Sequence, residues 1–181
     1  PAAQASWRFD LDDDHLDPSG ARIPGRQPVG DAILECSLRL GPSPIGARCA
    51  LDLTEEGDLF ELRIEPRAAG HTRLTLARRD EGGREELLGK AAISLGEEAT
   101  LRFANVDDVL AVDVNGLRAL EVPGVSNRPL LDAADPRLRH RRPRVALSTT
   151  GVELEVRELR TLRHLHYSAF ADQGLQMPVR L

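Results

Sequence analysis

The sequence predicts an all-β domain, a two-sheet antiparallel jelly-roll β-sandwich, and three observations carry that prediction. Apolar and polar residues alternate with period two through most of the chain. Clusters of Gly, Pro, Asn and Asp interrupt the alternation at short intervals. No stretch sustains the 3.6-residue period of an amphipathic helix.

Taken in order, Trp7 and Phe9 mark a short opening strand. Residues 10–30, rich in Asp, Pro, Gly and Arg, read as a surface loop. Leu34, Cys36, Leu38 and Leu40 then share one face of a strand, and Ala47, Cys49, Leu51 and Leu53 share a face of the next. The segment Gly41-Pro42-Ser43-Pro44-Ile45-Gly46 between them reads as a turn, and a hairpin about it would bring Cys36 and Cys49 together. After the turn Glu55-Glu56-Gly57-Asp58, the residues Phe60, Leu62 and Ile64 alternate with Glu61, Arg63 and Glu65. Leu74 and Leu76 mark a strand that Arg79-Asp80-Glu81-Gly82-Gly83 ends, and another crosses residues 86–93.

Leu101 and Phe103 are followed by apolar runs at 109–114 and 117–122. Asn115-Gly116 between those runs is the strongest hairpin signal, because both residues tolerate the positive φ of a primed turn. That turn would set Asp113 opposite Arg118. A second Pro-, Gly- and Arg-rich loop covers 124–143. Val145 and Leu147 form a strand, and Val152, Leu154 and Val156 begin a long last one. Leu159, Leu162 and Leu165 are spaced by three, so a short helix competes there with a bulged strand, which continues the alternation better. The divisions that follow are an N-terminal edge strand and loop (1–31), the sandwich (32–165) and a C-terminal return segment (166–181). In a jelly roll the first and last strands are expected to neighbour each other, which suits a domain inserted into a host protein.

Composition narrows the function classes. A net charge of −5, from 29 acidic and 24 basic residues, argues against nucleic acid as a partner. No apolar run approaches the roughly 20 residues of a membrane helix, and the first residues lack the basic start and apolar core of a secretory signal. Two cysteines build neither a disulfide framework nor a structural zinc site. Cys36 and Cys49 are therefore read as buried free thiols, with a cross-strand disulfide as the alternative in an oxidising compartment. Lys90 is the only lysine.

Four groups of residues are candidates for chemistry. Glu56, Asp58 and Glu61 match the E-x-D-x-x-E pattern of laminarinase-type glycosidases, whose two carboxyls must stand about 5 Å apart for retention. A regular strand instead sends Asp58 and Glu61 to opposite faces, and one Trp, one Tyr and four Phe leave little for sugar stacking. Asp10, Asp12, Asp13, Asp14 and Asp17 suggest calcium, but His15 and Ala21 stand where an EF-hand loop needs Gly and Glu. His164 and His166 share a strand face, yet no third metal ligand can be named. Arg137, Arg139, His140, Arg141, Arg142 and Arg144 form a basic patch whose natural partner is phosphate, on nucleic acid or on anionic lipid headgroups, though no aromatic residue interleaves for single-strand stacking. No catalytic residue, cofactor or metal site is expected.

Asn115-Gly116 between strands, followed by Val152-Glu153-Leu154-Glu155-Val156 and Leu159-Arg160-Thr161-Leu162-Arg163, resembles the closing half of the concanavalin A-like lectin/glucanase (LamG-like) superfamily. The edges Gly30-Asp31-Ala32-Ile33-Leu34-Glu35-Cys36 and Leu162-Arg163-His164-Leu165-His166-Tyr167-Ser168 resemble those of a β-sandwich insertion in certain bacterial type I signal peptidases. His164 and His166 depart from that pattern, which has Asp and Tyr there. The resemblance implies a non-catalytic, extracytoplasmic accessory domain, tethered to the membrane through a host protease domain in the same polypeptide. Its ligands would be envelope glycan, anionic lipid or a protein substrate. The Ser and Lys of such proteases correspond to no position here. A carbohydrate-binding or degraded glucanase-like domain is the competing expectation.

Overall fold

The computed structural model describes residues 4–10, 15–16, 19, 22–23, 32–41, 46–55, 58–67, 70–80, 82–96, 98–125 and 144–163. Thirteen strands cover them: β1 (Gln4–Asp10), β2 (His15–Leu16), β3 (Arg22–Ile23), β4 (Ala32–Leu40), β5 (Arg48–Glu55), β6 (Asp58–Pro66) and β7 (His71–Arg79) in the first half. The second half holds β8 (Glu85–Ser94), β9 (Glu98–Val106), β10 (Val109–Val114), β11 (Leu117–Pro123), β12 (Arg144–Thr150) and β13 (Leu154–Arg163). Eleven of them form a six-stranded sheet ordered β1-β12-β5-β6-β7-β8 and a five-stranded sheet ordered β11-β10-β9-β4-β13, every pair antiparallel, while β2 and β3 pair apart from both. This is the all-β, two-sheet architecture that the alternation predicts.

The core lies between the sheets and is filled by the inward parity of each strand. The six-stranded sheet contributes Cys49, Leu51, Leu53, Phe60, Leu62, Ile64, Leu74, Leu76, Val145 and Leu147. The five-stranded sheet contributes Ala32, Leu34, Cys36, Leu38, Leu101, Phe103, Leu110 and Val112. Fully burying one such Leu, Ile or Phe side chain is worth about 1.5–3 kcal/mol, so parity alone fixes which face of each strand turns inward.

Turn chemistry supplies the local connections. Asn115 (φ 52°) and Gly116 (φ 75°) form the expected primed turn, and Asp113 pairs with Arg118 across it. Asn115 also locks the hairpin to β9: its N–H donates to the Thr100 carbonyl and its Oδ1 accepts from the Thr100 N–H, each at 2.9 Å. Asp107 (φ 52°) and Asp108 (φ 62°) form a second two-residue primed turn between β9 and β10. Asp tolerates the left-handed region through local side-chain hydrogen bonding, a weaker sequence signal than Asn-Gly.

Three expectations are corrected. Residues 41–46 do not close a hairpin: β4 pairs with β9 and β13, whereas β5 pairs with β12 and β6, so the chain crosses from one sheet to the other. Inward parity is the same for hairpin partners and for strands facing each other across a core, so alternation could not separate the two. The first and last strands are not hydrogen-bonded neighbours either, since β1 edges one sheet and β13 edges the other. Finally, the stretch read as a loop over 10–30 contains the small antiparallel pair β2–β3, joined at His15↔Ile23 and Leu16↔Arg22. Residues 154–163 form a strand with a register shift between Arg157 and Arg160, where Glu158 takes φ 51°, and not a helix.

At the opposite edge the sheets meet through β8 and β11. A register shift in β7–β8 places Gly89 opposite Leu76, with Ala77 opposite Leu87. A Cβ on Gly89 would stand 3.3 Å from Leu120 Cδ2 and 3.8 Å from Val122 Cγ2. The missing side chain lets β11 approach β8 and close that side of the sandwich.

Candidate functional site

The carboxylates singled out by sequence do not share a face. Strand β6 runs through both of its pairings without a register shift, so no bulge reverses its parity. Asp58 lies on the core side, 4% exposed, and its carboxylate is bound by Arg78 Nη2. Arg78 Nη1 donates to the Val125 carbonyl at 3.0 Å, so the pair ties β6 and β7 to the chain beyond β11. Glu61 lies on the outer face, and Glu56 falls outside the described residues. Asp58 and Glu61 therefore do not form a carboxylate pair.

Cys36 and Cys49 are buried free thiols on opposite sheets, facing the same core. Burial pushes both thiols up to about 12, and their mutual proximity adds to the rise at Cys49. Such thiols remain protonated and poorly nucleophilic at neutral pH. Of the basic patch, Arg144 is exposed at the start of β12, opposite Thr54 of β5, while Arg137, Arg139, Arg141 and Arg142 lie outside the described residues. His164, His166 and most of the acidic run 10–17 lie outside them as well. Among the described residues no cluster of three His, Cys, Asp or Glu could hold a metal ion.

The most organised polar surface is one that sequence reasoning passed over, the outer face of β5–β8. Period two puts Ala50 and Asp52 of β5, Glu61, Arg63 and Glu65 of β6, and Arg73, Thr75, Ala77 and Arg79 of β7 on this face. Lys90 and Ala92 of β8 continue its rows, Lys90 opposite Thr75 and Ala92 opposite Arg73. Arg63 is the hub. Its Nη2 donates to Glu61 at 2.7 Å, and its two terminal nitrogens hold both Glu85 oxygens at 2.9 and 3.0 Å. Arg79 reaches the same Glu85 carboxylate at 3.2 Å.

These bonds span three strands and roof Ala77, which is buried although it points outward. Arg63 and then Arg79 hold the Glu85 carboxyl down to about 2, and Glu61 and then Glu85 raise Arg63 still further above its already high range. Arg63 and Glu85 are thus both charged at neutral pH. Leu87, 54% exposed beside Ala77, adds an apolar contact to the same face.

Where the network ends, a cavity of about 320 Å³ opens between β7 and β8, lined by Arg67, His71, Thr72, Arg73 and Lys90. Arg67 bonds Glu65 at 2.7 Å, and Arg73 stands 3.8 Å from the same carboxylate. On the other sheet a cavity of about 280 Å³ lies between Glu35, Arg102, Asp113, Glu158 and Arg160. Arg102 there is already engaged, 3.3 Å from both Glu35 and Asp113.

No family model matches the sequence, and no curated protein does. Solved structures do match. The CBM2 module of the evolved Dit of Lactobacillus casei BL23 phage J-1 aligns with a TM-score of 0.57 and 10% identity, over 86% of this chain and 67% of that one. The carbohydrate-binding module CBM66 from Bacillus subtilis aligns with a TM-score of 0.51 and 9% identity, over 85% of this chain and 94% of that one. At such identities the likeness is one of architecture, and this chain is an all-β jelly-roll sandwich of the kind these two modules share.

Proposed function

We propose that this domain is a carbohydrate-binding module that holds saccharide on the outer face of β5–β8. The observation that carries the reading is the Arg63–Glu61–Glu85–Arg79 network. It fixes donors and acceptors across three strands of an open sheet before any ligand arrives. Sugar hydroxyls need such paired donors and acceptors, and prior fixing lowers the entropy lost on binding. Leu87 offers the apolar surface that the C–H face of a sugar ring requires. The fold shared with CBM66 agrees with this reading.

A glycan array probed with wild type and with Arg63→Ala tests it. Saccharide capture is expected for wild type, with affinity at least about tenfold lower in the variant, the loss of one charge-assisted contact. An array on which wild type retains no glycan, or on which Arg63→Ala binds equally well, would overturn the assignment. The glucanase-like alternative fits less well, because Asp58 is committed to Arg78 on the core side.

The wider setting, an extracytoplasmic accessory module of a signal-peptidase-like membrane protease, belongs to the same proposal. It rests on the edge segments 30–36 and 162–168, of which 30–31 and 164–168 lie outside the described residues. A Ser/Lys pair and a Gly-Asp-Asn box in the same polypeptide would support it.

A further inference from the structure

The cavity between β7 and β8 differs from the neighbouring network in its charge balance. Three cations line it, Arg67, Arg73 and Lys90, together with His71. Among the described residues Glu65 is the one carboxylate paired with them, and Arg67 takes it at 2.7 Å while Arg73 stands at 3.8 Å. Lys90 is exposed and has no hydrogen-bond or ion-pair partner among the described residues. On the same face Arg48 of β5, exposed and likewise without such a partner, adds a further positive charge. This positive surface belongs to a protein of net charge −5, so it is a local construction and not the overflow of a basic chain.

Every other described arginine on the outer face of β6 and β7 has a carboxylate within 3.2 Å. Arg73, which shares the Glu65 carboxylate only at 3.8 Å, and Lys90, on the adjacent strand, are the least neutralised cations on the outer face of β6–β8 among the described residues. Ala92, opposite Arg73, and Thr75, opposite Lys90, are small and leave room between them.

We propose that this cavity is a subsite for an acidic sugar, whose carboxylate or sulfate is bound by Arg73 and Lys90. The inference rests on the saccharide-binding reading and extends it: the neutral part of the ligand lies over the Arg63 network, and its charged group enters the cavity. Arg73 supplies a planar pair of donors and Lys90 a point charge, a combination suited to a trigonal carboxylate or a tetrahedral sulfate. Thr72 at the cavity wall is 4% exposed, so its side chain belongs to the wall and not to the contact.

The test uses the whole chain against immobilised polygalacturonate and chondroitin sulfate, each beside its carboxyl-reduced or desulfated counterpart, with neutral glucan, polyglutamate and duplex DNA as further probes. Binding to at least one acidic polysaccharide is expected. Removing the acid group from the polymer should weaken it about tenfold, and so should Lys90→Gln or Arg73→Gln. Both side chains face solvent, so thermal denaturation of the variants should match wild type. Arg160→Gln, on the other sheet, should leave binding unchanged. Comparing the two polymers separates carboxylate from sulfate.

Equal binding of acidic and neutral polymers would overturn the acidic subsite while leaving saccharide binding intact. Acidic binding that both variants retain would remove the subsite from this cavity. Polyglutamate or DNA bound as tightly, with the same dependence on Lys90, would show a general anion surface and overturn the sugar assignment. Capture of no polysaccharide at all would end both proposals.

Discussion

Asp58 illustrates how a single residue can match a catalytic pattern and serve another purpose. Its carboxylate is nearly buried and its partner Arg78 is four-fifths covered, so each needs the other to offset the loss of water. Asp58→Ala should destabilise the domain by about 3 kcal/mol, measured by denaturant unfolding, because it strands a largely desolvated guanidinium. A loss below about 0.5 kcal/mol would contradict this role for the pair. The two thiols belong to the same scale. Both should react with an alkylating reagent in denaturant without prior reduction, and only very slowly in the native protein, as mass spectrometry would read. Native labelling at the rate of a free thiol, or no labelling until reductant is added, would refute the buried-thiol assignment. Since both folded-state values lie near 12, against 9.0 for the ordinary thiol, these groups favour the native state fully below pH 9. That contribution fades as pH rises from 9 towards 12, because only the unfolded chain releases the protons.

Among the elements, β8 depends on a residue without a side chain. Gly89→Val should cost about 1–3 kcal/mol, read from the denaturant midpoint, because Leu120 and Val122 of β11 already stand at contact distance. A variant as stable as wild type would mean that this edge has slack. The strands themselves were legible in the sequence, since Phe60, Leu62 and Ile64 or Leu34, Cys36 and Leu38 leave no doubt about which parity is apolar. Their pairing was not. The Asn115-Gly116 hairpin could be read because its turn chemistry is local, while Asp107-Asp108 was passed over because two aspartates signal a turn more weakly. The candidate site was less legible still. Glu61 and Arg63 are visible as the polar half of an alternation, but Glu85 lies 22 residues beyond Arg63. Bringing it there takes two strand registers, which the sequence pattern does not encode residue by residue.

For the molecule as a whole, the sandwich separates an apolar interior from a charged outer face. The inner faces of both sheets are spent on the core, and the outer face of β5–β8 carries the charged network. Phe60 and Phe103 serve the interior, and the outer face carries charge and hydrogen bonds. The crossing of the chain from β4 in one sheet to β5 in the other has a consequence in time. Residues 48–94 and 98–123 each form an up-and-down meander whose turns close over short loops. By contrast Gln4 must find Thr150, and Leu40 must find Leu154. Loop-closure entropy places those encounters last, after the meanders exist, and topologies dominated by such distant pairs fold over milliseconds to seconds. Until they occur, β12 and β4 each present an unpaired edge, so the chain is most prone to aggregation in the interval before β1 and β13 dock.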